Sequence, residues 1–283
     1  MWLIRSASIS RTRSQLLPNL KLSLAGRYDY VKTLENYRPD PEMEHEDGAF
    51  SPQVGLVYQP VKPVSLFGSW TRSFNPNFGL NRTKQSFDPE KGEQFEVDVK
   101  AAWFDQRLSS TLALYNITKK NVLTTDPTDP NYSIQTGEQK SRGIEFDPLG
   151  PPLPGWRIIA SYSYTDAFVS EDNTIPAGNP LSGVPRNQAG LWTAYDLPSG
   201  ALKGFGLGTG VYYEGKAEAT LPNNGVSIPS YWRWDAALFY KRNHWQTQLN
   251  FKNITDRRYY ASQGYSLTPQ APFTVLGTVA VEF

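Results

Sequence analysis

The sequence predicts an all-β chain, an antiparallel up-and-down barrel built to span a membrane. Three observations carry that prediction. Apolar residues recur at every second position with polar or charged residues between them, which is the side-chain period of a strand. Short connections take turns with long ones along the chain. Aromatic residues are abundant, with 8 Trp, 16 Tyr and 14 Phe, yet mean hydropathy is only −0.50. A barrel strand turns one face to lipid and the other to a wet lumen, so both kinds of residue coexist in it. No stretch approaches the ~18 consecutive apolar residues of a membrane helix.

Twelve strands are expected, at about 20–32, 51–59, 64–73, 92–104, 107–119, 133–147, 156–168, 187–197, 203–215, 230–241, 244–254 and 273–283. In 92–104, Phe95, Val97, Val99, Ala101 and Trp103 interleave with Gln94, Glu96, Asp98 and Lys100. The segment 107–119 alternates poorly. In 156–168, Trp156, Ile158, Ala160, Tyr162 and Tyr164 oppose Arg157, Ser161, Ser163 and Thr165. Gly204, Gly206, Gly208 and Gly210 take alternate positions of one strand, thinning its lumen face or allowing curvature rather than cradling phosphate. In 244–254, Trp245, Thr247, Leu249 and Phe251 interleave with Gln246, Gln248, Asn250 and Lys252. In 273–283, Phe273, Val275, Gly277, Val279, Val281 and Phe283 share a face, with Thr274, Thr278 and Glu282 behind. That ending resembles the terminal signal of bacterial outer-membrane barrels. Phe273, Val275, Val279, Val281 and Phe283 are therefore expected to address the barrel-assembly machinery.

Short links are expected near Pro60–Pro63, Asp105–Gln106, Pro148–Gly155, Pro198–Leu202 and Arg242–Asn243. Long ones cover 33–50, 74–91, 120–132, 169–186, 216–229 and 255–272. In a membrane barrel the turns are periplasmic and the loops extracellular, so all six loops belong on one side. Tyr58, Trp70, Trp103, Trp156, Tyr213, Tyr231, Trp232, Trp234, Tyr240, Trp245, Tyr259 and Tyr260 fall where strands meet connections. They read as interfacial girdles or as ordinary strand aromatics.

Composition excludes several classes. With 28 Lys+Arg against 27 Asp+Glu and a net charge of +1, nothing marks a nucleic-acid binder. Cysteine is absent, which removes disulfides, thiolate nucleophiles and Cys-ligated zinc. The first thirteen residues carry no secretory signal peptide. The two histidines, His45 in a long loop and His244 at a short turn, are expected on opposite sides. They therefore cannot join one metal site or one catalytic triad. No phosphate-binding or dinucleotide motif appears, so neither catalytic nor metal-binding residues nor a cofactor are expected. The run Glu42–Asp47 reads as a solvated acidic loop tip or as carboxylate oxygens for a divalent cation.

Eight segments in order resemble one family. They are Gly26–Asp29, Phe50–Pro60, Ser73–Pro76, Pro89–Val97, Gly137–Phe146, Gly183–Asn187, Tyr231–Asp235 and Leu249–Tyr260. Together they look like the C-terminal half of the barrel of TonB-dependent siderophore receptors of the ferrichrome-receptor type. The resemblance implies a barrel of about 22 strands with a plugged lumen, importing ferric siderophores with energy from TonB delivered through the plug. It also implies the bacterial outer membrane, with lipid and lipopolysaccharide around the barrel. This chain departs from the pattern: it carries about twelve strands, no plug, and residues 1–19 that match poorly. It is expected to be a truncated or split fragment, with residues 20–283 as the barrel part. Phe74, Phe78, Arg82, Tyr132 and Tyr265 are the loop aromatics and cation expected to meet the siderophore, with loop packing as the alternative reading. Two other readings stay open. One is a complete 12-stranded barrel, an autotransporter translocator or outer-membrane phospholipase. The other is a soluble all-β binding module.

Overall fold

The computed structural model describes residues 2–35, 43–262 and 267–282. These hold seventeen strands and no helix: β1 (Trp2–Leu17), β2 (Leu20–Glu35), β3 (Met43–Val61), β4 (Val64–Asn75), β5 (Glu90–Trp103), β6 (Leu108–Thr125), β7 (Ser133–Leu153), β8 (Trp156–Glu171), β9 (Asn187–Asp196), β10 (Phe205–Glu214), β11 (Ala217–Glu218), β12 (Ser227–Ile228), β13 (Tyr231–Arg242), β14 (Trp245–Lys252), β15 (Tyr260–Ser262), β16 (Leu267–Pro269) and β17 (Thr274–Val281). Thirteen are hydrogen-bonded in sequence order as one sheet, while β11–β12 and β15–β16 form small hairpins inside two long connections. All twelve expected strands are present. The chain divides into two compact units, residues 1–98, 114–142 and 166–179, and residues 99–113, 143–165 and 180–283.

In the first unit, β1, β2, β3 and β4 pair antiparallel. Register puts Leu20, Leu22 and Leu24 opposite Tyr58, Leu56 and Val54, which in turn face Leu66, Gly68 and Trp70. Directly opposed residues share a face, so one face of this ladder is apolar. The other carries Lys21, Ser23, Arg27, Asp29, Ser51, Gln53 and Thr71.

Three expectations are corrected here. The first strand is expected at 20–32, yet Trp2–Leu17 is a sixteen-residue strand paired along β2. Its alternation is invisible because Ser8, Thr12 and Ser14 stand on the face where β2 carries Tyr28, Leu24 and Leu22. Backbone pairing makes no demand on side-chain polarity. The expected loop 33–50 is mostly strand. Lys32 pairs with Glu44 and reaches Glu46 at 3.9 Å, and these cross-strand ion pairs carry the hairpin through the acidic run. His45 is therefore a strand residue, opposite Thr33, and Glu42 lies outside the described residues. Finally, β6 runs on to Thr125 and β7 to Leu153, which shortens the expected connections 120–132 and 148–155. The second becomes the two-residue turn Pro154–Gly155. Gly155 has φ +78°, and a Cβ there would lie 2.4 Å from the Asp196 carbonyl oxygen, so only glycine fits.

In the second unit, β8, β9, β10, β13, β14 and β17 pair in that order. Trp245, Thr247, Leu249 and Phe251 face Val281, Val279, Gly277 and Val275. Gln246, Gln248, Asn250 and Lys252 face Ala280, Thr278, Leu276 and Thr274. The apolar face is open to its surroundings: Val279 is 62% exposed and Val97, in the first unit, 59%. Buried apolar side chains are few and scattered, such as Val31, Val169 and Ala237. A soluble sandwich would bury one apolar face per sheet in a common core, so the soluble reading is set aside.

Candidate functional site

The connections in the first unit are built from polar side chains that satisfy the backbone. Asp126 Oδ1 accepts hydrogen bonds from the Thr128 amide at 2.8 Å and hydroxyl at 2.7 Å, an Asx turn. These bonds, with Arg82 nearby, hold the Asp126 carboxyl below its ordinary range. The Tyr132 carbonyl accepts from the Asp126 amide at 2.9 Å, closing the seven-residue loop 126–132. Arg82 donates to Thr128 Oγ1 at 3.3 Å, which ties this loop to 76–89. Asn77 donates to the Asp88 and Asn121 carbonyls at 2.9 and 3.0 Å. The two loops brace one another.

Beside them lies a concavity of ≈ 650 Å³ whose lining includes His45, Asp47, Arg72, Phe74, Lys91 and Lys120. Arg72 Nε and Trp70 Nε1 both donate to Glu93 Oε1, at 3.1 and 3.0 Å, and the guanidinium sits 5.1 Å from the Trp70 ring centroid. A neighbouring hollow of ≈ 360 Å³ is lined in part by Arg27, Asp29, Thr71 and Phe74. Arg27 grips the buried Asp29 with both ends of its fork, at 2.7 and 2.6 Å. Cations, carboxylates and one aromatic wall therefore converge where a polar, chelate-sized ligand could be oriented.

The sequence-derived ligand residues scatter. Phe74 is the penultimate residue of β4, half-buried, and lines both hollows. Phe78 and Tyr132 are exposed, and Arg82 braces the loops; none of these three lines either hollow. Tyr265 lies outside the described residues. Sequence reasoning weighed Asp47 only within the acidic run and set His45 aside, and it did not single out Arg72 or Lys120. The first two carried a signal, since Glu44, His45, Glu46 and Asp47 alternate two carboxylates with a His–Asp pair across the faces of one strand.

The second unit presents a different wall. A Cβ on Gly206 would fall 1.9 Å from the Phe239 ring, and one on Gly208 or Gly210 would fall 2.6 Å from Trp192. The glycines thus make room for aromatic rings lying across the strand. Arg157 stacks over Phe239 at 5.4 Å and Arg233 over Tyr212 at 4.4 Å, each favoured by the ring quadrupole. Tyr231 stacks on Tyr259 at 4.4 Å. Asp235 accepts the buried Asn253 amide at 2.8 Å, while the Asn253 side chain donates to the Arg257 and Ala271 carbonyls at 3.0 and 3.1 Å. This clamp fixes both ends of the last long connection. Of the expected assembly residues, Phe273, Val275, Val279 and Val281 are exposed; Phe283 lies outside the described residues.

Comparison with known proteins joins these features. A family model described as TonB dependent receptor-like, beta-barrel, matches residues 10–254. The metal-pseudopaline receptor CntO of Pseudomonas aeruginosa (strain UCBPP-PA14) is 35% identical over 222 residues, covering 78% of this chain and 31% of that protein. The ferrichrome outer membrane transporter/phage receptor of Escherichia coli K12 is 32% identical over 248 residues, covering 85% of this chain and 33% of that protein. The crystal structure of the ferric-catecholate import receptor Fiu of E. coli K12, closed form, superimposes with a TM-score of 0.83 at 22% identity, over 99% of this chain and 45% of that one. The chain spans about a third of the length of the curated relatives it matches.

Proposed function

Because the chain belongs to the TonB-dependent receptor β-barrel family, we propose that it forms the C-terminal part of the barrel of an outer-membrane receptor for ferric siderophores. The observation that carries this reading is the match over residues 10–254, joined to relatives named as receptors for ferrichrome, ferrioxamine B and metal-pseudopaline. Such a protein is a transporter and not an enzyme. Its iron arrives already chelated, so the barrel contributes recognition by loops and walls rather than metal ligands or a resident cofactor. The hollows beside Phe74, with Arg27, Arg72, Lys91 and Lys120 around them, suit an anionic chelate, because guanidinium and ammonium groups attract it and the aromatic offers an apolar wall. TonB would act through a plug, a part outside this sequence, and lipid and lipopolysaccharide would meet the apolar face. The relatives named here are receptors and a transporter, which favours this reading over a complete barrel enzyme.

The test is uptake of radiolabelled ferrichrome and ferrioxamine B by a receptor-deficient strain. A gene encoding these residues behind a plug and the preceding strands should restore energised uptake. A polypeptide restricted to residues 1–283 should not, since β1 and β17 would expose unpaired backbone groups to lipid. Energised uptake by that short polypeptide would overturn the reading.

A further inference from the structure

The far end of the β2–β3 ladder holds a pair of side chains that chelate transport does not require. His45 and Asp47 stand two residues apart on one face of β3, opposite Thr33 and Val31. His45 Nε2 lies 3.0 Å from Asp47 Oδ1. Asp47 is 7% exposed, and its second oxygen, Oδ2, is buried without a hydrogen-bond partner. A buried acceptor left unpaired is destabilising, the more so when it is charged. The local arrangement therefore favours a cation or donor that would complete the carboxylate, and both residues line the ≈ 650 Å³ concavity through which one could enter.

We propose that His45 and Asp47 form a binding site for a divalent first-row transition ion. The ion would be ligated by the imidazole Nε2 and the Asp47 carboxylate. Two donor atoms about 3 Å apart have the spacing of neighbouring ligands at right angles around an ion with bonds of about 2.1 Å. Mixed imidazole and carboxylate donors favour copper, nickel or zinc over magnesium or calcium. Among the described residues no group of three ligating side chains gathers, so the remaining coordination positions stay open to water or to the donor atoms of a chelator. The site differs from the carboxylate-only reading of the acidic run, since Glu44 and Glu46 turn to the other face and engage Lys32. It does not depend on the transport reading.

The chain has only two histidines, which makes the test clean. Residues 1–283, held in detergent, are titrated with Cu²⁺ alone and followed by electron paramagnetic resonance. One bound ion with splitting from a single imidazole nitrogen is expected. His45→Ala should abolish that signal, Asp47→Asn should weaken binding about tenfold or more, and His244→Ala should leave both unchanged. Should a variant fail to fold, the wild-type chain is treated with diethylpyrocarbonate with and without Zn²⁺, and Zn²⁺ should protect His45 but not His244. The proposal is overturned by any of five results. They are no ion bound by the wild type, a signal surviving His45→Ala or lost in His244→Ala, unchanged affinity in Asp47→Asn, and equal modification of His45 with and without Zn²⁺.

Discussion

Replacing Val97 with arginine measures how deep the apolar face of β5 sits in the bilayer. One edge of that face is marked by Glu93, which holds Trp70 and Arg72, and the other by the exposed Trp103. Ten residues separate the two markers, roughly 33 Å of strand at about 3.3 Å per residue. At a tilt of about 45° this spans roughly 23 Å of depth, close to the ~25 Å apolar band of an outer-membrane barrel. Val97 falls four residues from one marker and six from the other, roughly 9 Å and 14 Å in depth, so it lies near the midplane. An arginine there should cost about 2–4 kcal/mol. The neighbouring Glu96 points to the opposite face, where it accepts a hydrogen bond from Gln94 Nε2 at 2.6 Å, and Glu96→Gln should change stability by no more than about 0.5 kcal/mol. The assay is a denaturant titration of the receptor folded into phospholipid vesicles, comparing both variants with wild type. Equal sensitivity at the two positions, or an arginine tolerated at Val97, would refute the facing and the depth together.

Three further outcomes are expected. Gly208→Val drives a side chain into the Trp192 ring, which a Cβ would already approach to 2.6 Å. It should destabilise the fold by about 1–3 kcal/mol and shift Trp192 fluorescence, and an unchanged melting curve would contradict the stacking. Asp235→Ala orphans the Asn253 amide in a residue only 1% exposed. A loss of about 1–3 kcal/mol and faster amide exchange at Asn253 should follow, and unaltered exchange would count against the clamp. The Asp126 carboxyl is held below its ordinary range by the Thr128 bonds, so its contribution is present above the unfolded carboxylate pKa and is lost as pH falls through the lowered folded value. Thr128 amide protection should therefore fall only at acid below that ordinary range, and Asp126→Asn should remove the step; the same step in the variant would assign it elsewhere.

How much of this protein was legible in its sequence follows from which properties are local. The face a side chain takes depends only on its place in a period-two strand. Val97 against Glu96, or Phe251 against Lys252, could accordingly be read from a dozen residues, and so could the sheet order, because consecutive strands joined by short turns pair with their neighbours. The family was legible too, because its eight segments lie in order. Register and strand ends are not local. They are decided by what stands opposite, which is why Trp2–Leu17 became a strand on the backbone of β2 despite its serines, and why Lys32 drew the acidic run into β3. The glycines of β10 announced a thin face, but only the pairing with β9 and β13 set Trp192 and Phe239 over them. In the same way, alternation could put His45 and Asp47 on one face, while the 3.0 Å contact and the unpartnered oxygen arise from a ladder that ends elsewhere than the sequence pattern placed it.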